Sequence, residues 1–201
     1  MADGGVNKGR RRFLVAATTV VGAAGVAAVA VPFVSAWQPS AEARAAGAPV
    51  KVDISKLQPG QRMVVEWRGR PVWILDRSTE MIQRTEMLGG ERLADPASSK
   101  PQQPEYASGP LRSIRPGIGV YVGICTHLGC SPLFRPEPNA EGVGVDDWPG
   151  GFFCPCHGSR FDLAGRVFRN VPAPLNLEVP PYHFENDSVI VVGVGEGEEV
   201  G

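Results

Sequence analysis

The sequence predicts a mainly β, antiparallel domain carried behind one N-terminal membrane-spanning helix. Three observations predict it. From Phe13 through Ala41 no residue is charged. Beyond residue 50, short runs of β-branched and aromatic residues alternate with turn residues, and the chain holds 25 Gly and 19 Pro, which favours strands and turns over a helical bundle. No stretch of about 15 residues reads as an amphipathic helix.

The elements follow in chain order. Residues 1–12 form a cytoplasmic N-terminus, with Lys8, Arg10, Arg11 and Arg12 against the single acid Asp3. Residues 13–37 (FLVAATTVVGAAGVAAVAVPFVSAW) are the anchor. As a helix they rise ~37 Å, enough for a hydrocarbon core of ~30 Å with some tilt. Trp37 sits where an interfacial aromatic belongs, and Pro32 lies in the last turns, where a kink is tolerated. A cleaved signal peptide is the competing reading, since small residues follow at Ala41, Ala43 and Ala45. A secretory apolar core runs only about 7–15 residues, so the retained anchor is favoured. The positive-inside rule puts everything after Trp37 outside the cytoplasm in either case. Arg10-Arg11-Arg12-Phe13-Leu14 also fits a twin-arginine export signal, a route for proteins already folded, often around a cofactor.

Residues 38–49 (QPSAEARAAGAP) are small, polar and Ala-rich, a tether. Residues 50–201 form the head. Arg62 to Trp67 and Val72 to Leu75 flank Arg68-Gly69-Arg70-Pro71 and predict a hairpin. Ser78 to Leu88 predicts a short helix opened by a hydroxyl cap and stopped by Gly89-Gly90. Asp95 to Pro110 reads as a surface loop. Ile118 to Ile124, Phe152-Phe153, Arg160 to Leu163, Arg166 to Phe168 and Ser188 to Val192 are strand candidates, with a turn at Ala164-Gly165.

Composition excludes some functions. Lys+Arg number 20 and Asp+Glu 21, a net charge of −1, so no basic surplus exists to neutralise a nucleic acid. Hydrophobic residues at 43% support a packed core rather than wholesale disorder. Four Cys in 201 residues are too few for a disulfide-dense scaffold.

Position matters more than number. All four Cys and two of the three His fall in two boxes, Cys125-Thr126-His127-Leu128-Gly129-Cys130 and Cys154-Pro155-Cys156-His157-Gly158-Ser159. Two loops that each offer thiolate and imidazole suit a metal centre between them. A Cys2His2 zinc site would favour C-x₂₋₄-C and H-x₃₋₅-H spacings. Here each box mixes Cys and His at close range, which suits a [2Fe–2S] cluster with two thiolates on one iron and two imidazoles on the other. Neutral imidazoles in place of thiolates leave the cluster less negative and easier to reduce.

The boxes CTHLGC and CPCHGS resemble those of the bacterial-type Rieske iron–sulfur subunits of cytochrome bc complexes, the ubiquinol–cytochrome c reductases. The similarity extends to the twin-arginine anchor, the tether, the Trp67-Arg68-Gly69-Arg70-Pro71 turn and Pro172 to Leu177. The two boxes are specific together; the flanking matches are individually weak. The resemblance implies an antiparallel β-sandwich head with a small cluster-binding subdomain and one Rieske-type [2Fe–2S] cluster per chain. It implies that Cys125 and Cys154 ligate the buried iron, His127 and His157 the outer iron, and that Cys130 and Cys156 form a disulfide. Ser159 would donate to a bridging sulfide. His157, with His127 beside it, would serve quinol oxidation, a one-electron transfer coupled to loss of a proton. Leu128, Gly129, Pro172, Ala173 and Pro174 would form an apolar docking tip. Partners would be cytochrome b and cytochrome c1, with ubiquinol at a shared site, in a dimeric complex of the bacterial inner membrane with the head in the periplasm. The tether would let the head move between the two partners.

Two departures from the family pattern stand out. Phe161 occupies a position where the family often has Tyr, so one hydroxyl donor to a ligand thiolate is missing and a lowered potential is expected. Val171 stands where Gly commonly precedes Pro-Ala-Pro. His183, outside both boxes, reads as structural or surface-exposed, and Asp146, Asp147 and Trp148 as a solvated insertion in preference to a surface that shapes partner docking. Two other functions compete: a Rieske-type ferredoxin or oxygenase component, against which the second Cys pair and the anchor argue, and a membrane-tethered zinc-binding interaction domain.

Overall fold

The computed structural model describes residues 6–41, 43 and 47–198, in two compact units divided after Ala45. The first unit is helix α1, Lys8–Ser35. Asn7 caps it, its side-chain oxygen accepting the N–H groups of Gly9 and Arg10 at 3.1 Å each. Helix α1 has a mean hydropathy of 2.2 in its most apolar window and no buried residue. Such a helix needs an apolar surrounding. It starts ahead of residue 13, so Arg10 to Arg12 ride on its first turns, and it stops at Ser35, so Trp37 follows its end. Of the tether 38–49, residues 42 and 44–46 lie outside the described residues, as do residues 1–5 of the N-terminus and 199–201 of the head.

Among the described residues, the head is built from three antiparallel three-stranded sheets. One sheet contains β1 (Val50–Asp53), β9 (Val189–Val192) and β8 (Tyr182–Phe184) in that order. The second contains β2 (Arg62–Trp67), β3 (Arg70–Asp76) and β4 (Ile118–Val122). The third, smaller sheet contains β5 (Leu133–Arg135), β6 (Gly151–Cys154) and β7 (Ser159–Phe161). Helix α2, Thr79–Met87, follows β3 and is capped by Ser78, whose hydroxyl accepts the N–H of Met81 at 3.3 Å.

The hairpin is tighter than its sequence suggested. Trp67 pairs with Arg70, so the connection is only Arg68-Gly69. Both residues have positive φ, 53° and 68°, the backbone that a two-residue turn needs to match strand twist. Strands β5 and β8 were not anticipated, and β8 carries His183, whose Nδ1 lies 3.1 Å from the Val194 carbonyl. His183 is therefore structural.

The main core joins all three sheets. Phe152 of β6 stacks on Trp73 of β3 with ring centroids 4.9 Å apart, meets Tyr121 of β4 edge-on at 6.1 Å, and lies 5.5 Å from Phe134 of β5. These rings, all buried but the half-buried Phe134, fasten the small sheet to the larger one. A second core of Leu93, Val143, Trp148 and Phe168 forms under residues 137–150. This corrects the reading of that stretch as a solvated insertion. Asp146 and Asp147 are exposed, but Trp148 is 1% exposed and its Nε1 donates to the Arg135 carbonyl at 2.9 Å. The 95–110 loop likewise lies only partly on the surface, since Asp95, Ser98 and Ala107 are buried.

Candidate metal centre

The two boxes fold alike. Cys125 lies three residues beyond the end of β4, and Cys154 ends β6. Four residues after each, a glycine donates its N–H back to that cysteine's carbonyl: Gly129 to Cys125 at 3.1 Å and Gly158 to Cys154 at 2.9 Å. Both glycines have positive φ, 85° and 76°, a backbone in which a side chain would be strained. Each loop thus curls into one turn that projects its histidine beside its cysteine.

The loops meet. Cys130 and Cys156, 26 residues apart, are joined by a disulfide. Cys125 and Cys154 remain free and buried, at 3% and 1% exposure. Their thiols are neighbours: burial pushes the Cys154 thiol up, the Cys156 N–H opposes this, and the adjacent Cys125 sulfur adds to it. The imidazoles of His127 and His157 stand edge to face with ring centroids 4.8 Å apart. His127 is half-buried and His157 exposed. His127 Nδ1 is buried with no hydrogen-bond partner, the condition of a ligand atom rather than of a satisfied polar group. The sulfurs of Cys130, Cys154 and Cys156 also lie within 4.8 Å of one another. Two of them are consumed by the disulfide and cannot act as thiolates. The remaining donor set, two buried thiols and two imidazoles with an orphaned nitrogen, fits a metal centre held between the loops.

Residues 171–177 form a third loop over the first two. Thr126 Oγ1 donates to the Leu175 carbonyl at 2.7 Å, tying this segment to the first box. The Ala173 N–H donates to Ser159 Oγ at 3.1 Å, tying it to the second. Leu128 is 72% exposed, and Gly129, Pro172 and Pro174 are exposed as well. Ala173 differs from these: at 4% exposure it faces inward, and its amide rather than its side chain is used. Phe161 is fully buried on β7, on the same face as Ser159 two residues before it.

Sequence reasoning did not single out the polar residues that hold this third loop. Asn176 accepts the Val167 N–H at 2.9 Å and donates to the Asp95 carbonyl at 3.1 Å. Arg112 is fully buried with no carboxylate among its partners. It donates to the carbonyls of Leu177 at 2.6 Å and Ala164 at 3.1 Å, and to Gln103 Oε1 at 3.0 Å. Burial lowers its guanidinium pKa, a cost that a ring of oriented acceptors offsets. A buried Asp162–Arg166 ion pair at 2.7 Å closes the adjoining turn.

An anchored β domain with paired Cys–His loops, closed by a disulfide and roofed by a proline-rich loop, defines a protein of the Rieske iron–sulfur class. Residues 50–182 match the family described as "Rieske [2Fe-2S] domain", and residues 1–40 match "Ubiquitinol-cytochrome C reductase Fe-S subunit TAT signal". The chain belongs to the family of ubiquinol–cytochrome c reductase iron–sulfur subunits. It is 57% identical to that subunit of Allochromatium vinosum over 98% of this chain and 94% of the relative. It is 46% identical to that of Blastochloris viridis over 92% and 93%. A chain solved as "Hyperthermophilic respiratory Complex III" aligns at a TM-score of 0.47 and 26% identity, over 88% of this chain and 99% of that one. The N-terminal apolar helix and the signal match are those of a membrane-anchored Rieske subunit.

Proposed function

We propose that this chain is the electron-transfer subunit of a membrane-bound ubiquinol–cytochrome c reductase, taking electrons from ubiquinol at a site shared with cytochrome b and passing them to cytochrome c1. The observations that carry this reading are the buried free pair Cys125 and Cys154, the edge-to-face pair His127 and His157, and the disulfide that joins their two loops. A bound [2Fe–2S] cluster supplies a one-electron acceptor there.

The protein's own residues do the rest. Cys125, Cys154, His127 and His157 would hold the cluster, the two cysteines buried and the histidines half-buried and exposed. The exposed ring nitrogen of His157 accepts a hydrogen bond from the quinol hydroxyl and takes its proton as the electron leaves. Imidazole suits this because its proton affinity lies near working pH and responds to nearby metal charge. Leu128, with Gly129, Pro172 and Pro174, offers an exposed surface that excludes water when the head docks. The four charged side chains at Lys8 and Arg10 to Arg12 orient the anchor with its N-terminus in the cytoplasm and the head in the periplasm. The parent assembly is a dimeric cytochrome bc complex.

Metal analysis and spin resonance of dithionite-reduced membranes test the reading. Two irons and two acid-labile sulfides per chain are expected, with a reduced-state signal that disappears in His157→Ala. A colourless protein carrying zinc would overturn it.

A further inference from the structure

Val171 begins the third loop at a position where the resembling family commonly has glycine. Its half-buried side chain packs against both hydrophobic cores, the main one and the smaller one around Trp148. The smaller core is held by its own contacts. Asn139 donates its N–H to the Trp148 carbonyl at 2.8 Å, and the Trp148 ring lies 5.7 Å from that of Phe168. Two residues beyond Val171, the Ala173 N–H donates to Ser159 Oγ. Pro172 and Pro174 carry no N–H, so this is the one amide that the loop offers between them.

Ser159 is fully buried. A hydroxyl has one proton and two lone pairs, and here a lone pair is taken by Ala173. Among the described residues nothing accepts the Ser159 proton, and a buried donor without a partner is costly. The Ala173 bond occupies one lone pair and leaves that proton for another acceptor.

We propose that Val171 is a positioning residue: by locking the third loop onto the Trp148 core, it keeps the Ala173 amide on Ser159 and so keeps the Ser159 hydroxyl aimed at the bound centre. The inference rests on the iron–sulfur reading above. It assigns residues 139–148 a purpose, as a brace that reaches the centre through one side chain and one amide.

The test uses the full-length protein in its membrane complex. Hydrogen exchange of a peptide spanning residues 171–175 reports Ala173 with little overlap, because both flanking prolines are silent. In Val171→Gly, Ala173 exchange is expected to rise at least tenfold. The cluster midpoint is expected to fall until the reduced-to-oxidised ratio at the original midpoint drops about tenfold, ~59 mV for one electron. Val171→Ile is expected to restore both. In a Ser159→Ala background, Val171→Gly is expected to leave the midpoint where Ser159→Ala alone puts it. An unchanged midpoint in Val171→Gly, or an equal fall in both backgrounds, overturns the proposal. If Val171→Gly fails to assemble, Val171→Ala carries the same comparison at smaller amplitude. Absence of any cluster signal in the unsubstituted chain overturns the electron-transfer reading and this inference with it. A full signal with unaltered exchange overturns this inference alone.

Discussion

At the scale of single residues, the centre is surrounded by side chains whose chemistry is set by one or two bonds. Ser159 and Phe161 share a face of β7, because alternate residues of a strand point the same way. Phe161 fills a fully buried position without a donor. Adding a hydroxyl there supplies a hydrogen bond that favours the more negative, reduced state. Phe161→Tyr is expected to raise the midpoint by roughly 60 mV, the equivalent of ~1.4 kcal/mol for one electron. A redox titration that shows no rise would remove Phe161 from the account. Asp95 acts at the same scale. Burial opposes its ionisation, but the N–H groups of Ser99 and Lys100 and the Ser99 hydroxyl hold its carboxyl below the ordinary carboxylate range. A group with a lowered folded pKa stabilises the fold fully above its unfolded value of about 4, and the gain is lost as pH falls through the folded value. Acid unfolding of the head should therefore be steepened by Asp95. Asp95→Asn is expected to lower stability by about 1–2 kcal/mol at pH 7 and to flatten the stability profile below pH ~4. Denaturant titrations at several pH values check this.

At the scale of elements, three loops act as one unit. The disulfide joins the two boxes, and the third loop is bonded to each through Thr126 and Ser159. Removing the covalent link releases a 26-residue separation in the unfolded chain, worth ~3–4 kcal/mol in the chain-entropy account. The double variant Cys130→Ser, Cys156→Ser is expected to lose most of its iron during purification. Iron and acid-labile sulfide per chain measure it, and full retention would show that the third loop alone holds the boxes together. The elements were unevenly legible. The β2–β3 hairpin and the Ser78 cap of α2 were readable because their signals are local. The three-residue strands β5 and β8 were not, since so short a run gains its structure from the partner strand. Trp148 was missed for a related reason. Its immediate neighbours in sequence are acidic or turn-forming, and much of the core around it, Leu93 and Phe168 among it, comes from distant parts of the chain.

At the scale of the whole molecule, the apolar helix and the β head belong to separate compact units divided after Ala45. The domain limits 13–37, 38–49 and 50–201 remain the proposed division of labour: anchor, hinge and redox head. Deleting three residues within 38–49 shortens the maximum reach by ~10 Å. Such a deletion is expected to slow steady-state quinol oxidation at least tenfold while leaving the cluster midpoint unaltered. A normal rate would mean that the tether is not what carries the head between partners.

The sequence by itself determined the membrane anchor, the β class of the head and the identity of the candidate ligands. These depend on uninterrupted hydrophobicity, on period-two patterning and on two dense Cys–His boxes, all of which are written in neighbouring residues. The resemblance already implied the Cys130–Cys156 bond, which the structure bears out; only the tertiary structure decided that Ala173 faces inward and that Val171 spans two cores. It also decided where Arg112 and Asn176 find their acceptors, Leu177 and Asp95, which lie 65 and 81 residues away in the chain. Bonds across such distances leave no local periodicity. They exist because buried polar groups must be satisfied by whatever backbone the fold brings beside them.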